Sequence, residues 1–202
     1  MIDALLLAGG MSQRMGRPKP LLKFSKDRTF LEQIVTALRS SRVDRTTVVL
    51  GAYADVVQES VDLSGVRVVV NKDYEKGQLS SLIAGLTSLP PDSEGIVLCL
   101  ADSPFLTRET VDAMVAAFRT TGRPIVIPVH AGKRGHPTLF AASLYQELVD
   151  ALEHEGARHV LQSNHDKILE LDVPDSTVTI NIDTPQQYRD HFGVDPCGCE
   201  GP

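Results

Sequence analysis

The alternation of short apolar runs with stretches of helical period most limits the folds open to this chain. Ile2 to Ala8, Thr46 to Leu50, Val66 to Val70, Gly95 to Ala101, Pro124 to Val129 and Lys167 to Val173 are rich in Val, Ile and Leu, and most are apolar at successive positions. Strands buried on both faces need that composition, and they occur where helices cover both sides of a mostly parallel sheet. The intervening segments carry helix signals. Thr29 and Glu32 have capping-box spacing in "TFLEQIVTALRS", and Thr107 opens "TRETVDAMVAAF". Leu144, Leu148 and Leu152 fall on one face of "SLYQELVDALEHE", which predicts a helix packed against the core. No internal repeat, low-complexity tract or long linker interrupts the pattern. It predicts one three-layer α/β/α domain over residues 1–192, with a frayed tail at 193–202. Ligands are expected at the carboxyl ends of the strands.

Charge narrows the choice of ligand. The formal net charge is -6, which argues against broad binding to nucleic acid or to anionic lipid, so any anionic ligand must be held by local basic groups. No apolar run approaches the roughly 20 residues of a membrane helix. The first apolar run contains Asp3 and has no basic region before it, so it reads as a strand and not as a signal peptide, and a cytoplasmic enzyme is expected. Cys197 and Cys199 in "DPCGCEGP" lack the second cluster that would complete a zinc site, and no catalytic role is expected of them. His130, His154, His159, His165 and His191 lack metal-ligand spacing.

The first strand runs into "LLLAGGMSQRMGRPKPLL", Leu5 to Leu22, which has the glycines and cations of a phosphate cradle. It is not a Walker A loop, because Lys19 comes three residues after Gly16 and no Ser or Thr follows it; the dinucleotide pattern G-x-G-x-x-G is absent too. Pro18 and Pro20 disfavour helix in the residues before them, so Arg17 and Lys19 are expected to be extended in a stiff arm. Backbone N–H groups near Gly9 and Gly10 are then placed to cradle a triphosphate that Arg14 and Lys19 grip from different sides. Asp102 lies just past an apolar strand, in "LADSPFL". That position suits a ligand for magnesium, which commonly uses one or two carboxylates plus substrate phosphates.

Five segments together resemble one family. Leu7, Ala8, Gly9, Gly10, Ser12, Arg14, Met15, Gly16, Pro18, Lys19, Leu21 and Leu22 match L-A-[AG]-G-x-S-x-R-M-G-x-P-K-x-L-L. That is the signature of the molybdenum cofactor nucleotidyltransferases, part of a superfamily that includes the sugar-phosphate nucleotidyltransferases. "NKDYEKGQLSSLIAGL" resembles N-P-x-W-x-x-G-[QM]-x-x-S-L at Asn71, Gly77, Gln78, Ser80 and Ser81, with Lys72 for the proline and Tyr74 for the tryptophan. "LADSPFL" resembles G-D-x-P, with Ala101 for the glycine. "NIDTPQQY" resembles D-I-D-T-P, with Asn181 in first place. "GKRGHPTLF" resembles the R-G-H-P-x-L-F of the cofactor branch. The resemblance runs from Leu5 to about Tyr188.

It implies a Rossmann-like nucleotidyltransferase fold and a magnesium-dependent transfer of a nucleoside monophosphate from an NTP to the terminal phosphate of molybdopterin, with pyrophosphate released. By that resemblance Arg14, Lys19 and Asp102 are catalytic, and Asp102 and Asp183 hold Mg2+. Leu7, Ala8, Gly9, Gly10, Arg14, Lys19, Asn71, Gln78 and Ser80 bind the nucleotide, while Arg134 and His136 meet the acceptor. Gly10 has the form common in enzymes that use GTP, whereas "RPKPLL", "GQLSSL" and "RGHPTLF" resemble the cytidylyltransferase branch, which favours CTP. A molybdoenzyme that receives the product is implied as partner. Two other readings stay open. A sugar-phosphate nucleotidyltransferase shares the loop, although "GKRGHPTLF" speaks against it, and a non-catalytic maturation chaperone would bind nucleotide without magnesium-dependent pyrophosphate release.

Overall fold

The computed structural model describes residues 1–151 and 156–196. Its strands are β1 (Ile2–Ala8), β2 (Lys23–Ser25), β3 (Arg28–Thr29), β4 (Arg45–Leu50), β5 (Arg67–Val70), β6 (Gly95–Leu100), β7 (Ile125–His130), β8 (Lys133–Arg134), β9 (Thr138–Ala141) and β10 (Ile168–Asp172). The helices are α1 (Phe30–Arg39), α2 (Ala54–Ser60), α3 (Gln78–Thr87), α4 (Arg108–Thr121), α5 (Tyr145–Val149), α6 (Ala157–Ser163) and α7 (Pro185–Phe192). The main sheet runs β10-β7-β9-β6-β1-β4-β5, with β8 paired to β7, and β2 and β3 form a separate small ribbon.

β1 shows why these residues build three layers. It is buried along its whole length, and its side chains alternate between two cores. Ile2, Ala4, Leu6 and Ala8 pack with Leu31 and Leu38 of α1, Val57 of α2 and Met114 of α4. Leu5 and Leu7 face the other way, toward Leu79, Leu82 and Leu86 of α3, Leu148 of α5 and Val160 of α6. Asp3 is the polar exception at 1% exposure, and Arg45 neutralises it from β4 with bonds of 2.6 and 3.0 Å. The expected helix starts are present: Thr29 and Glu32 form a reciprocal capping box on α1, and the Thr107 hydroxyl accepts from the Thr110 N–H on α4.

The sheet departs from the sequence reading at "GKRGHPTLF". That segment was not among the expected strands: Thr138 to Ala141 form β9, which inserts antiparallel between β6 and β7. Four apolar-dominated residues next to a proline give too short a periodic signal to be read as a strand. The helix expected through "SLYQELVDALEHE" is shorter, since α5 ends at Val149, although Leu144 and Leu148 are buried as expected. Leu152, His154, Cys197 and Cys199 lie outside the described residues.

β4, β1 and β6 run parallel, so their carboxyl ends share one edge of the sheet. β4 lies on one side of β1 and β6 on the other, so the winding reverses at β1 and opens a crevice there, the usual place for a ligand in such a sheet.

Candidate active site

A cavity of about 260 Å³ occupies that crevice. Its walls include Leu7 and Ala8 at the end of β1, Gly9, Gly10 and Lys19 from the segment that follows, Gln78 from the start of α3, and Asp102 just past the end of β6. Backbone contact sets the depth of the first loop. The Gly9 carbonyl accepts from the Ala52 N–H at 3.2 Å, and a Cβ at Gly51 would collide with that same carbonyl oxygen. The loop can therefore lie against the end of β4 only because glycine stands at position 51.

The basic arm is not extended at Lys19, as the prolines had suggested. Lys19–Leu21 form a single 3-10 turn, closed by Leu21 N–H to Pro18 O at 3.0 Å. Pro20 is tolerated because the first turn of a helix does not use its N–H groups. The Ser12 hydroxyl, in a residue with φ of 51°, accepts from the Lys19 N–H at 3.1 Å and ties the arm to the loop.

The turn carries the Lys19 ammonium to two carboxylates, 2.5 Å from Asp183 Oδ1 and 3.3 Å from Asp102 Oδ2. Arg14 reaches the same Asp183 oxygen at 3.0 Å. Asp183 comes from far along the chain, and two features bring it here. The Ile182 N–H bonds to the Asp102 carbonyl at 2.8 Å. The C-terminal segment is then anchored by Ile182 and Tyr188, which pack with Met15, Leu22 and Phe30, and by a Tyr188 hydroxyl bond to Lys23 O at 2.7 Å. Thr184, and not Asp183, caps α7, in a capping box with Gln187. The Asp183 carboxylate is thereby left for the cations.

Burial alone would raise the Asp183 carboxyl, but the Lys19 hydrogen bond and the charges of Lys19 and Arg14 outweigh it and hold the group below the ordinary carboxylate range. A depressed carboxylate adds stability that is fully present above its unfolded value of about 3.9 and is lost as pH falls through the lower folded value. Wild type is therefore expected to exceed Asp183→Asn in stability near pH 6, with the gap closing as pH drops below about 4. Urea melts across that range check this, and a pH-independent gap would refute the pairing.

The other expected residues divide into those that line a cavity and those that sit behind its wall. Asn71 is 5% exposed, donates to Ser80 Oγ at 2.8 Å and Ser81 Oγ at 3.0 Å, and accepts from Asp73 N–H at 2.9 Å. It and Ser80 shape the turn that presents Gln78. Asn181 accepts from the Ser103 hydroxyl at 2.8 Å, beside Asp102. Arg134 pairs with Glu170 at 2.7 Å and is not among the described residues that line either cavity.

His136 lines a second cavity, of about 460 Å³, whose walls also include Leu7, Gln78 and Leu100 of the first. Gly135 sets its position, since a Cβ there would collide with the Val178 carbonyl, which accepts from the His136 N–H at 2.7 Å. Burial lowers the imidazole's proton affinity and nearby Asp102 opposes this only in part, so the environment favours the neutral ring. Much of this second cavity was invisible in the sequence. Leu79, Leu82, Leu98, Phe140 and Leu161 were not among the expected site residues, and Arg158 belongs to no motif.

The sequence profile of the MobA-like NTP transferase domain matches residues 4–168. Nicotine blue oxidoreductase of Paenarthrobacter nicotinovorans is 29% identical, over 93% of this chain and 95% of that protein. Molybdenum cofactor cytidylyltransferase of Escherichia coli K12 is 25% identical, over 93% of each. Among solved structures, Rv0371c from Mycobacterium tuberculosis H37Rv aligns with a TM-score of 0.83 and 31% identity over 96% of this chain and 97% of that one. Its complex with manganese aligns with a TM-score of 0.79 and 29% identity, over 96% of this chain and 98% of that one.

Proposed function

We propose, for a chain that belongs to the family of MobA-like NTP transferase domains, that it transfers CMP from CTP to the terminal phosphate of molybdopterin. The observation that carries this reading is the convergence of Lys19, Arg14, Asp102 and Asp183 at the rim of a glycine-walled cavity. An acceptor phosphate oxygen attacks the α-phosphorus, the bond from that phosphorus to the bridging oxygen breaks, and pyrophosphate leaves. A phosphomonoester has a second pKa of about 6, so the acceptor is already a dianionic nucleophile at neutral pH and no protein base is needed. The task of the protein is charge neutralisation and alignment. Lys19 and Arg14 lie where they can neutralise the β- and γ-phosphates.

Two carboxylates from separate elements meeting one ammonium form a donor set that fits a hard divalent cation completed by phosphate oxygens. Asp102 and Asp183 are the residues proposed to hold Mg2+, which when bound supplies further charge neutralisation. The manganese complex of Rv0371c, which shares this fold, supports a divalent-cation site in this region of sequence space.

For the base, "RPKPLL", "GQLSSL" and "RGHPTLF" outweigh Gly10, so CTP is the proposed donor and GTP the alternative. The product is proposed to pass to a molybdoenzyme. Pyrophosphate release measured across the four NTPs, with molybdopterin as acceptor and with or without Mg2+, is expected to be fastest with CTP and to require the metal. A clear preference for GTP would reverse the base assignment, and nucleotide binding with no pyrophosphate would point to a chaperone. The name of one relative, nicotine blue oxidoreductase, makes an assay of nicotine blue turnover the natural control.

A further inference from the structure

Two demands meet on Lys19. Its ammonium lies between the carboxylates of Asp102 and Asp183, at 3.3 and 2.5 Å, and those are the groups that would hold a divalent cation. An ammonium and a metal ion cannot take the same carboxylate oxygens together. Charge sharpens the conflict. Asp102 and Asp183 are balanced by Lys19 and Arg14, so a divalent cation arriving alone would leave a positive excess at a partly buried site, where repulsion is screened less than in water. Among the described residues no group of three or more His, Cys, Asp or Glu side chains is placed to hold a metal ion, so the pair has no third such ligand to favour the metal over the ammonium.

The backbone of Lys19 is pinned while its head can turn. Its N–H donates to Ser12 Oγ at 3.1 Å and its carbonyl accepts from the Leu22 N–H at 3.1 Å, so displacement is confined to the flexible stem. Lys19 lines the same cavity as Gly9, Gly10 and Asp102. Rotation of the stem therefore carries the ammonium away from the carboxylates into the crevice. Arg14 is placed differently: its side chain is 70% exposed, against 15% for Lys19, and its ion pair is with Asp183.

We propose that Lys19 is a displaceable plug: its ammonium closes the Asp102 and Asp183 pair to divalent cations until the phosphates of a nucleotide draw it into the crevice. The inference rests on the transferase reading for which carboxylates meet the cation, and goes beyond it by making metal affinity conditional on nucleotide. A triphosphate permits the exchange because it offers the ammonium new oxyanions and cancels the positive excess. The coupling is reciprocal, so the cation tightens the nucleotide by the same factor. A plug displaced in a tenth or less of the molecules lowers the apparent metal affinity at least about tenfold.

Equilibrium binding of Mn2+ alone, read from the electron paramagnetic resonance of the free ion, tests this without turnover. Lys19→Met, which keeps an unbranched stem, and Lys19→Ala are each expected to bind Mn2+ at least about tenfold more tightly than wild type, although both lose turnover. Arg14→Gln removes an equal charge from an exposed position and is expected to gain about threefold or less. Asp102→Asn added to Lys19→Met is expected to abolish the gain. A lysine that only holds the C-terminal segment in place predicts the opposite sign, since its loss would loosen Asp183. Mn2+ binding no tighter in either Lys19 variant than in wild type, an equal gain in Arg14→Gln, or a gain that survives Asp102→Asn overturns the inference; Mg2+-dependent pyrophosphate release in wild type would still uphold the transferase reading. The expected gains in a protein that never releases pyrophosphate support the plug and instead remove the transfer reaction.

Discussion

Asp102→Ala is expected to lower turnover at least about a hundredfold while the fold survives. The side chain's contacts are to the Lys19 ammonium at 3.3 Å and the Ser103 hydroxyl at 3.4 Å, and it has no place in the hydrophobic core. The structural work at this position is done by the backbone, whose carbonyl accepts from Ile182 N–H at 2.8 Å and is untouched by the substitution. Loss of one preorganised charge contact costs on the order of 3 kcal/mol in the transition state, and each 1.36 kcal/mol is about a factor of ten in rate. Steady-state turnover, with circular dichroism and a thermal melt as fold controls, checks the result. Near-normal turnover in a folded variant removes Asp102 from the chemistry.

Lys19→Ala should produce a loss of similar size, at least about a hundredfold, by a different route. The substitution strips the ammonium from between two carboxylates but keeps the backbone N–H bond to Ser12 at 3.1 Å, so the arm keeps its path. Without that ammonium the Asp183 carboxyl loses its main stabilising partner and its proton affinity rises. Lys19→Arg is not expected to restore turnover, because a broad planar fork does not replace a compact charge held at 2.5 Å from one carboxylate and 3.3 Å from another. Turnover and nucleotide affinity measured side by side on both variants decide it. Full activity in Lys19→Arg would show that the site needs a positive charge and not this geometry.

These expectations rest on residues of two kinds. That Arg14, Lys19 and Asp102 stand at one crevice was legible because each lies at a fixed offset from a buried strand. Asp183 was legible as part of a motif, but its contact with Lys19 depends on Ile182, Tyr188 and the aromatic residues around them pinning the chain end against the first loop. Asn71 and Ser80 matched another motif of the same family, yet they bond to each other and to the backbone behind the wall. A motif marks residues that covary with a site, without separating those that face the ligand from those that hold the wall.

The sequence by itself determined the layers, because strands apolar at successive positions have to be covered on both faces, and it determined the loop, because its glycines, prolines and cations lie within eighteen residues. Only the tertiary structure decided that β9 runs antiparallel inside the sheet, that Arg134 turns to Glu170, and that Arg158 stands at an apolar cavity. Those outcomes depend on which elements pack side by side, and the free energy of packing is a property of surfaces brought together from distant parts of the chain, which no local spacing records.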